Sequence, residues 1–236
     1  MGIVAPHHGM LGASPSMTAE GRGSPFTVAF ADLEPRERYK LLCATVVPRP
    51  IALVTSVGSD GVVNAAPFSF FNVFSEDPPL VVLGLQHKPE ETRKDTTRNI
   101  AETGVFVVNL VDEALAEGMN ICAIDFPPEA SEIEAARLDL LPGVDVAVPR
   151  IAQAPFALEC RRTVALAFGP QRELLVGEVL RLHAREGLMD PARLRIDMDA
   201  YHPVGRLFGD DGYARQRDRF DLKRESYEEW RMRRGR

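Results

Sequence analysis

The stretch that decides the fold is Val46-Val47-Pro48-Arg49-Pro50-Ile51-Ala52-Leu53-Val54-Thr55-Ser56-Val57-Gly58-Ser59-Asp60-Gly61-Val62-Val63-Asn64-Ala65-Ala66-Pro67-Phe68-Ser69-Phe70-Phe71. Pro-Arg-Pro is a rigid lead-in to a short apolar, partly β-branched run, Ile51 to Val57, which ends at the turn Gly58-Ser59-Asp60-Gly61. Val62 to Ala66 returns at hairpin spacing, followed by Phe68 to Phe74 and, after the Pro78-Pro79 break, Leu80 to Leu85. Short strands so close together, joined by tight turns, favour an antiparallel sheet over a βαβ unit.

Outward from this block the pattern stays mainly β. Glu34 to Leu42 has helical composition. Thr92 to Glu102 predicts a capped helix ending at Gly104, Val105 to Leu110 a strand, and Asp112 the cap of a helix reaching about Cys122. Ser131 to Leu138 reads as a helix between proline-rich turns. Phe156 to Phe168 and Leu174 to His183 read as a long hairpin joined by Gly169-Pro170-Gln171-Arg172. Clustered strands with few helices imply a closed β-barrel with peripheral helices. Residues 1–25 read as a flexible leader, 26–225 as a single domain, and 226–236 as a basic tail carrying Arg231, Arg233, Arg234 and Arg236.

Composition narrows the function. A chain of 236 residues with formal net charge −6 has no general attraction to nucleic acid or anionic membranes. Cys43, Cys122 and Cys160 form no CxxC pair, and an odd number suits a reducing compartment rather than a disulfide framework. His7, His8, His87, His183 and His202 lack metal-ligand spacing, so no metal is expected. No apolar run has the length of a membrane span, and no secretory signal opens the chain. The expectation is a soluble cytoplasmic protein. Neither GxGxxG nor GxxxxGK[ST] occurs, so a bound phosphate would be held by side chains and irregular backbone.

The opening block has the chemistry for a flat, phosphorylated ligand. Asn64, Ala65 and Ala66 are small enough for a ring to approach the backbone, and Pro67 removes one amide donor. Thr55, Ser56 and Ser69 can donate to phosphate or ribityl oxygens, and Arg49 can neutralise charge.

PRPIALVTS, a short turn, NAAPFSFF and a PP pair resemble the N-terminal half of flavin reductase-like, FMN-binding split-barrel proteins. These include flavoredoxins and the small reductase components of two-component flavin monooxygenases. Lys94-Asp95-Thr96-Thr97-Arg98-Asn99-Ile100 is similar to the family's KDT-x-x-NI helix start, and Phe106 to Asn109 to its FVVN strand. His202 through Tyr213 is similar to the closing P-x-x-R-L-G-G-x-x-Y segment, with Phe208 where that pattern has its first glycine.

The resemblance covers about residues 36–225. It implies an antiparallel Greek-key split β-barrel and one FMN site per subunit, built mainly from residues 45–99. It places Asn64, Ala65, Ala66 and Pro67 along the isoalloxazine edge. Ser69, with Phe70 beside it, and Thr55 or Ser56 would serve the ribityl chain or phosphate, with Arg49, Lys94, Asp95, Thr96 and Asn99 completing the cofactor site. Asp95 alternatively caps the helix, Thr55 and Ser56 finish a strand, and Asn99 ties a turn. The implied activity is NAD(P)H:flavin oxidoreduction with NADH or NADPH as donor. The alternative is a non-catalytic FMN electron carrier of flavoredoxin type. His202 is the candidate for contact with nicotinamide, unless it is a capping histidine, and Arg206 and Arg172 are candidates for the dinucleotide phosphates. A homodimer and a partner monooxygenase or other redox protein complete the expectation.

Overall fold

The structure, a computed structural model, describes residues 26–87, 93–126, 130–209 and 211–234; the leader 1–25 lies outside them. Two compact units divide at Arg38. The described part of the first holds a 3-10 turn, Phe30–Asp32, and the opening of helix α1 (Pro35–Thr45).

The second unit is built on seven strands: β1 (Ala52–Val57), β2 (Val63–Phe68), β3 (Phe71–Glu76), β4 (Pro79–Gln86), β5 (Val105–Leu110), and two longer ones that come after several short elements. Helix α2 (Asp95–Thr103) precedes β5. After it come α3 (Ala116–Ile121), α4 (Glu132–Ala135) and the short pair β6 (Leu140–Leu141) and β7 (Arg150–Ile151). The long hairpin is β8 (Phe156–Ala167) and β9 (Arg172–Ala184). Two small hairpins follow, β10 (Met189–Asp190) with β11 (Arg195–Ile196) and β12 (Val204–Arg206) with β13 (Tyr213–Arg215), and α5 (Tyr227–Arg234) occupies the basic tail.

The sheet order is β2-β1-β5-β8-β9-β4-β3, antiparallel throughout. Its two outermost strands, β2 and β3, are consecutive in the chain with only Ser69 and Phe70 between them, so the sheet must curl until its edges meet at that corner. The ladder does not close there. The expected closed barrel is therefore a split one, and β2 keeps a row of backbone groups that no strand among the described residues pairs. Pro67 is tolerated within β2 because β2 is an edge. At the corner the Phe70 carbonyl accepts from Gly84 N–H at 2.7 Å, and a Cβ on Gly84 would lie 2.9 Å from Phe70 Cβ.

Residues opposite each other on antiparallel strands share a face. One face of the sheet gathers Ala52, Val54, Leu83, Phe106, Val108 and Leu175, with Ile100 of α2 packed among them. The other gathers Leu53, Ala65, Leu115, Met119 and Ile133 beneath α3 and α4. Both faces of β1 are covered, which is why its sequence is a continuous apolar run rather than an alternating one.

Helix boundaries differ from the sequence expectation for local reasons. Thr92 lies outside the described residues, and α2 begins at Asp95. It ends, as expected, at Gly104, whose φ of 74° is the left-handed conformation that glycine adopts at little cost. Asp112 Oδ1 accepts from Leu115 N–H at 3.1 Å, so it caps the turn before α3 rather than α3 itself. Ser131 caps α4 by accepting from Glu134 N–H, but α4 stops at Ala135 instead of Leu138. Leu138 and Arg137 donate back to Ile133 and Glu134, and Arg137 takes φ 51°, closing the helix early.

Candidate functional site

The cross-strand register sorts the predicted residues by face. Ser56 stands opposite Asn64 and Val54 opposite Ala66, while Thr55 stands opposite Ala65. Ser56, Asn64 and Ala66 therefore share the face that carries α2, and Thr55 and Ala65 share the other.

On the α2 face two connected lobes form a cleft. The larger, about 450 Å³, is bounded by Asn64, Asp60, Arg98, Asn99 and Phe126. The smaller, about 170 Å³, runs along Ala66, Pro67 and Phe68 past Lys94 and Thr96 to the 122–126 loop. Asn64, Asp95, Phe126 and Glu132 border both. The combined space lies in the range of small-ligand and cofactor sites.

Its walls are tied together by named contacts. Asn64 Nδ2 donates to Thr96 Oγ1 at 2.9 Å, joining the edge strand to the first turn of α2. Asn99 Nδ2 donates to Ser56 Oγ at 3.2 Å. Asn99 is only 2% exposed, yet its Oδ1 has no hydrogen-bond partner. A buried unpartnered polar atom costs about 1–3 kcal/mol, and the residue that carries this one lines the larger lobe. Lys94 stands at the N-cap of α2 without a side-chain cap bond, and the positive end of the helix opens beside it. Asp95 does not cap; it pairs with Arg98 at 2.7 Å.

Other predicted residues are placed differently. Thr55 is fully buried on the far face, where Oγ1 donates to the Pro149 carbonyl at 2.7 Å and accepts from Asn109 Nδ2 at 3.2 Å. Ala65 packs into the core under α3. Arg49 is buried, and its guanidinium donates to the carbonyls of Cys43 at 2.5 Å and Val46 at 3.2 Å, with longer bonds to Phe208 O and Ser69 Oγ. It braces the β2–β3 corner from below. Phe70 turns its ring toward Tyr39, centroids 6.2 Å apart. His202 borders neither lobe; its carbonyl accepts from Glu113 N–H. The Arg206 guanidinium lies 4.5 Å over the Tyr213 ring, and Arg172 closes the β8–β9 hairpin by accepting from Phe168 N–H.

Sequence reasoning missed Glu132, Phe126, Arg98 and Asp60, all on the cleft wall. Alternation along β1 and β2 would have separated Thr55 and Ala65 from their neighbours. Nothing in the local sequence brings Glu132 across to β2. Burial, and the Asp95 carboxylate beside it, push the Glu132 carboxyl above its ordinary range, against the pull of its own and the Ala65 backbone amides.

A second polar cluster lies away from the cleft. Glu159, fully buried on β8, accepts from the amides of Val144, Asp145 and Val146 at 2.8, 2.6 and 2.9 Å and meets His183 Nε2 at 2.6 Å. Burial alone would raise its pKa, but these hydrogen bonds hold it at about 2. Among the described residues no group of His, Cys, Asp and Glu converges as a metal would require, and no helix is long and apolar enough to cross a membrane.

The flavin reductase like domain profile matches residues 44–205. This chain belongs to the flavin reductase-like family. It is 41% identical over 197 residues to an uncharacterized protein of Halalkalibacterium halodurans, covering 81% of this chain and 93% of that one. Among solved structures it resembles the Pseudomonas fluorescens 2-nitrobenzoate 2-nitroreductase NbaA, at TM-score 0.79 and 43% identity over 86% of this chain and 98% of the other. It also resembles nitrilotriacetate monooxygenase component B of Bacillus cereus, at TM-score 0.79 and 36% identity over 84% and 99%. The family membership and these neighbours mark the chain as a flavin-linked oxidoreductase of split-barrel fold.

Proposed function

We propose that this protein binds FMN in the cleft between β2, α2 and residues 122–126 and 130–132, and that it is an NAD(P)H-dependent flavin reductase. The observation that carries the reading is the cleft itself, where Asn99, with a buried and unpartnered Oδ1, lines the larger lobe and Lys94 flanks the N-terminus of α2 beside the smaller. The donor set fits the group. Lys94, the Thr96 hydroxyl and the opening amides of α2 would hold the phosphate, and Asn99, itself tied to Ser56, would meet ribityl hydroxyls. The unpaired edge of β2 at Asn64, Ala66 and Pro67 would follow the ring. Arg49 acts indirectly here, fixing the corner on which Ser69 stands.

Bound flavin supplies the hydride chemistry; the chain supplies position and charge. The likeness to a monooxygenase component B supports delivery of reduced flavin to a partner oxygenase. A homodimer is part of the same reading. It is supported by Val73 and Phe74, 69% and 70% exposed on the outermost strand β3, and by Phe220 and Leu222 in the exposed segment before α5. Light scattering should give twice the chain mass of 26.1 kDa. The activity test is the absorbance of the FMN-loaded protein under anaerobic NADH and then NADPH. Bleaching by either establishes a reductase and names its donor; a bound flavin that neither reduces makes the protein an electron carrier.

A further inference from the structure

Glu132 borders both lobes, as Asp95 does, but Asp95 is paired with Arg98, and the flavin reading leaves the Glu132 carboxyl unused. Among the described residues, the charged and titratable groups around it come from every neighbouring element. They are Asp60 in the turn after β1, Lys94, Asp95 and Arg98 at the start of α2, and Asp125 and Cys122 after α3. On its own helix, Glu134 is exposed. Asp95 pairs with Arg98 at 2.7 Å, yet its charge still acts on Glu132. What remains is three carboxylates, those of Asp60, Asp125 and Glu132, against the ammonium of Lys94. Burial holds the Cys122 thiol neutral, up at about 12.

A phosphate monoester brings about −1.5 to −2 more charge into this space. A like charge close by favours the neutral form of a carboxyl, and the carboxyl least committed to ionisation yields first. Burial and Asp95 already favour neutral Glu132. A neutral carboxyl also gains an O–H donor, which the anion can use.

We propose that Glu132 takes up a proton from solvent as the flavin phosphate enters the cleft, so that this site binds its anionic cofactor and a proton together. The inference rests on the FMN reading above. Its sign follows from linkage. At low pH Glu132 is protonated before binding and no proton is taken up. Above the pKa that Glu132 has in the complex, the anion must sit beside a carboxylate and affinity is low. Between these limits FMN affinity falls by up to about tenfold per pH unit.

The test is calorimetric titration of FMN between pH 5 and 8 in buffers of different ionisation enthalpy, which counts protons taken up. Glu132→Gln keeps the shape but cannot titrate, and it subtracts the phosphate's own protonation. Wild type should exceed Glu132→Gln by about half a proton or more at the maximum. Asp95→Asn lowers the Glu132 pKa in the free and bound states alike, so it should move the uptake maximum to lower pH, and it tests the same coupling if Glu132→Gln fails to fold. Uptake in wild type equal to that in Glu132→Gln, or a maximum that Asp95→Asn does not move, overturns the proposal while leaving FMN binding intact. Absence of FMN binding at every pH, in wild type as well, overturns the flavin reading and this inference with it.

Discussion

Asn99 and Asn109 are both almost wholly buried, and both lean on β1, yet the molecule treats them oppositely. Asn109 donates to the Leu53 carbonyl at 2.9 Å and to Thr55 Oγ1 at 3.2 Å, and its Oδ1 accepts from Ile151 N–H at 2.8 Å. Both ends of the amide are used, and three chain segments are locked to one another. Asn99 uses only its nitrogen, on Ser56, and leaves its oxygen buried and unpartnered in a residue that lines the cleft. Two glutamates of the same regions also divide, one fully buried and one half-buried. Glu159 is saturated by three amides and a histidine and ionises readily, whereas Glu132 borders open space and is held toward its neutral form. A buried polar group with every partner present is a structural clamp. One with a partner missing marks where a ligand belongs.

Mutations can break this contrast in order of effect. Glu159→Ala strands the amides of Val144, Asp145 and Val146 and should destabilise the fold by about 3–5 kcal/mol, measured by denaturant unfolding. Its FMN affinity should stay within about twofold of wild type, since the cluster lies outside the cleft. Wild-type stability should also carry an acid signature. The folded pKa of Glu159, about 2, lies below its ordinary 4.5, so its contribution is fully present above 4.5 and disappears as pH falls toward 2. The span corresponds to about 3 kcal/mol, which Glu159→Gln should remove from the acid limb of the stability curve. Asn109→Ala should cost about 2–3 kcal/mol, because it deletes the partners of buried backbone groups.

The cleft side should respond in binding instead. Lys94→Ala should weaken FMN by about 1.5–3 kcal/mol and leave stability unchanged, because the side chain is exposed and caps nothing. Asn99→Ala should cost about 1 kcal/mol or less in stability, under half the cost at Asn109, while weakening FMN about fivefold or more. Equal stability losses at the two asparagines would erase the distinction between clamp and site.

Much of this architecture was legible in the sequence. β5 falls on Val105–Leu110 as its composition predicts, and the long β8–β9 hairpin lies where two strand-like runs flank Gly169-Pro170. Asn64, Lys94, Thr96 and Asn99 could be named as site residues because NAAPFSFF and KDT-x-x-NI, the motifs that carry them, resemble known ones, and all four border the cleft. What could not be read depends on distant chain. Thr55 turns away from the cleft to meet Pro149, 94 residues on. Arg49 looks like a phosphate ligand until the carbonyls of Cys43 and Val46 claim its guanidinium. Glu132 carries no motif at all and becomes a site residue only when α4 packs beneath β2.

The most direct measurement is an equilibrium titration of FMN into wild type and Asn99→Ala, followed by quenching of flavin fluorescence. The account predicts saturation at one FMN per wild-type chain and about fivefold or greater weakening in the variant, with both proteins folded. No binding by wild type, or identical binding by the two, would contradict a flavin site built around the unpartnered oxygen of Asn99.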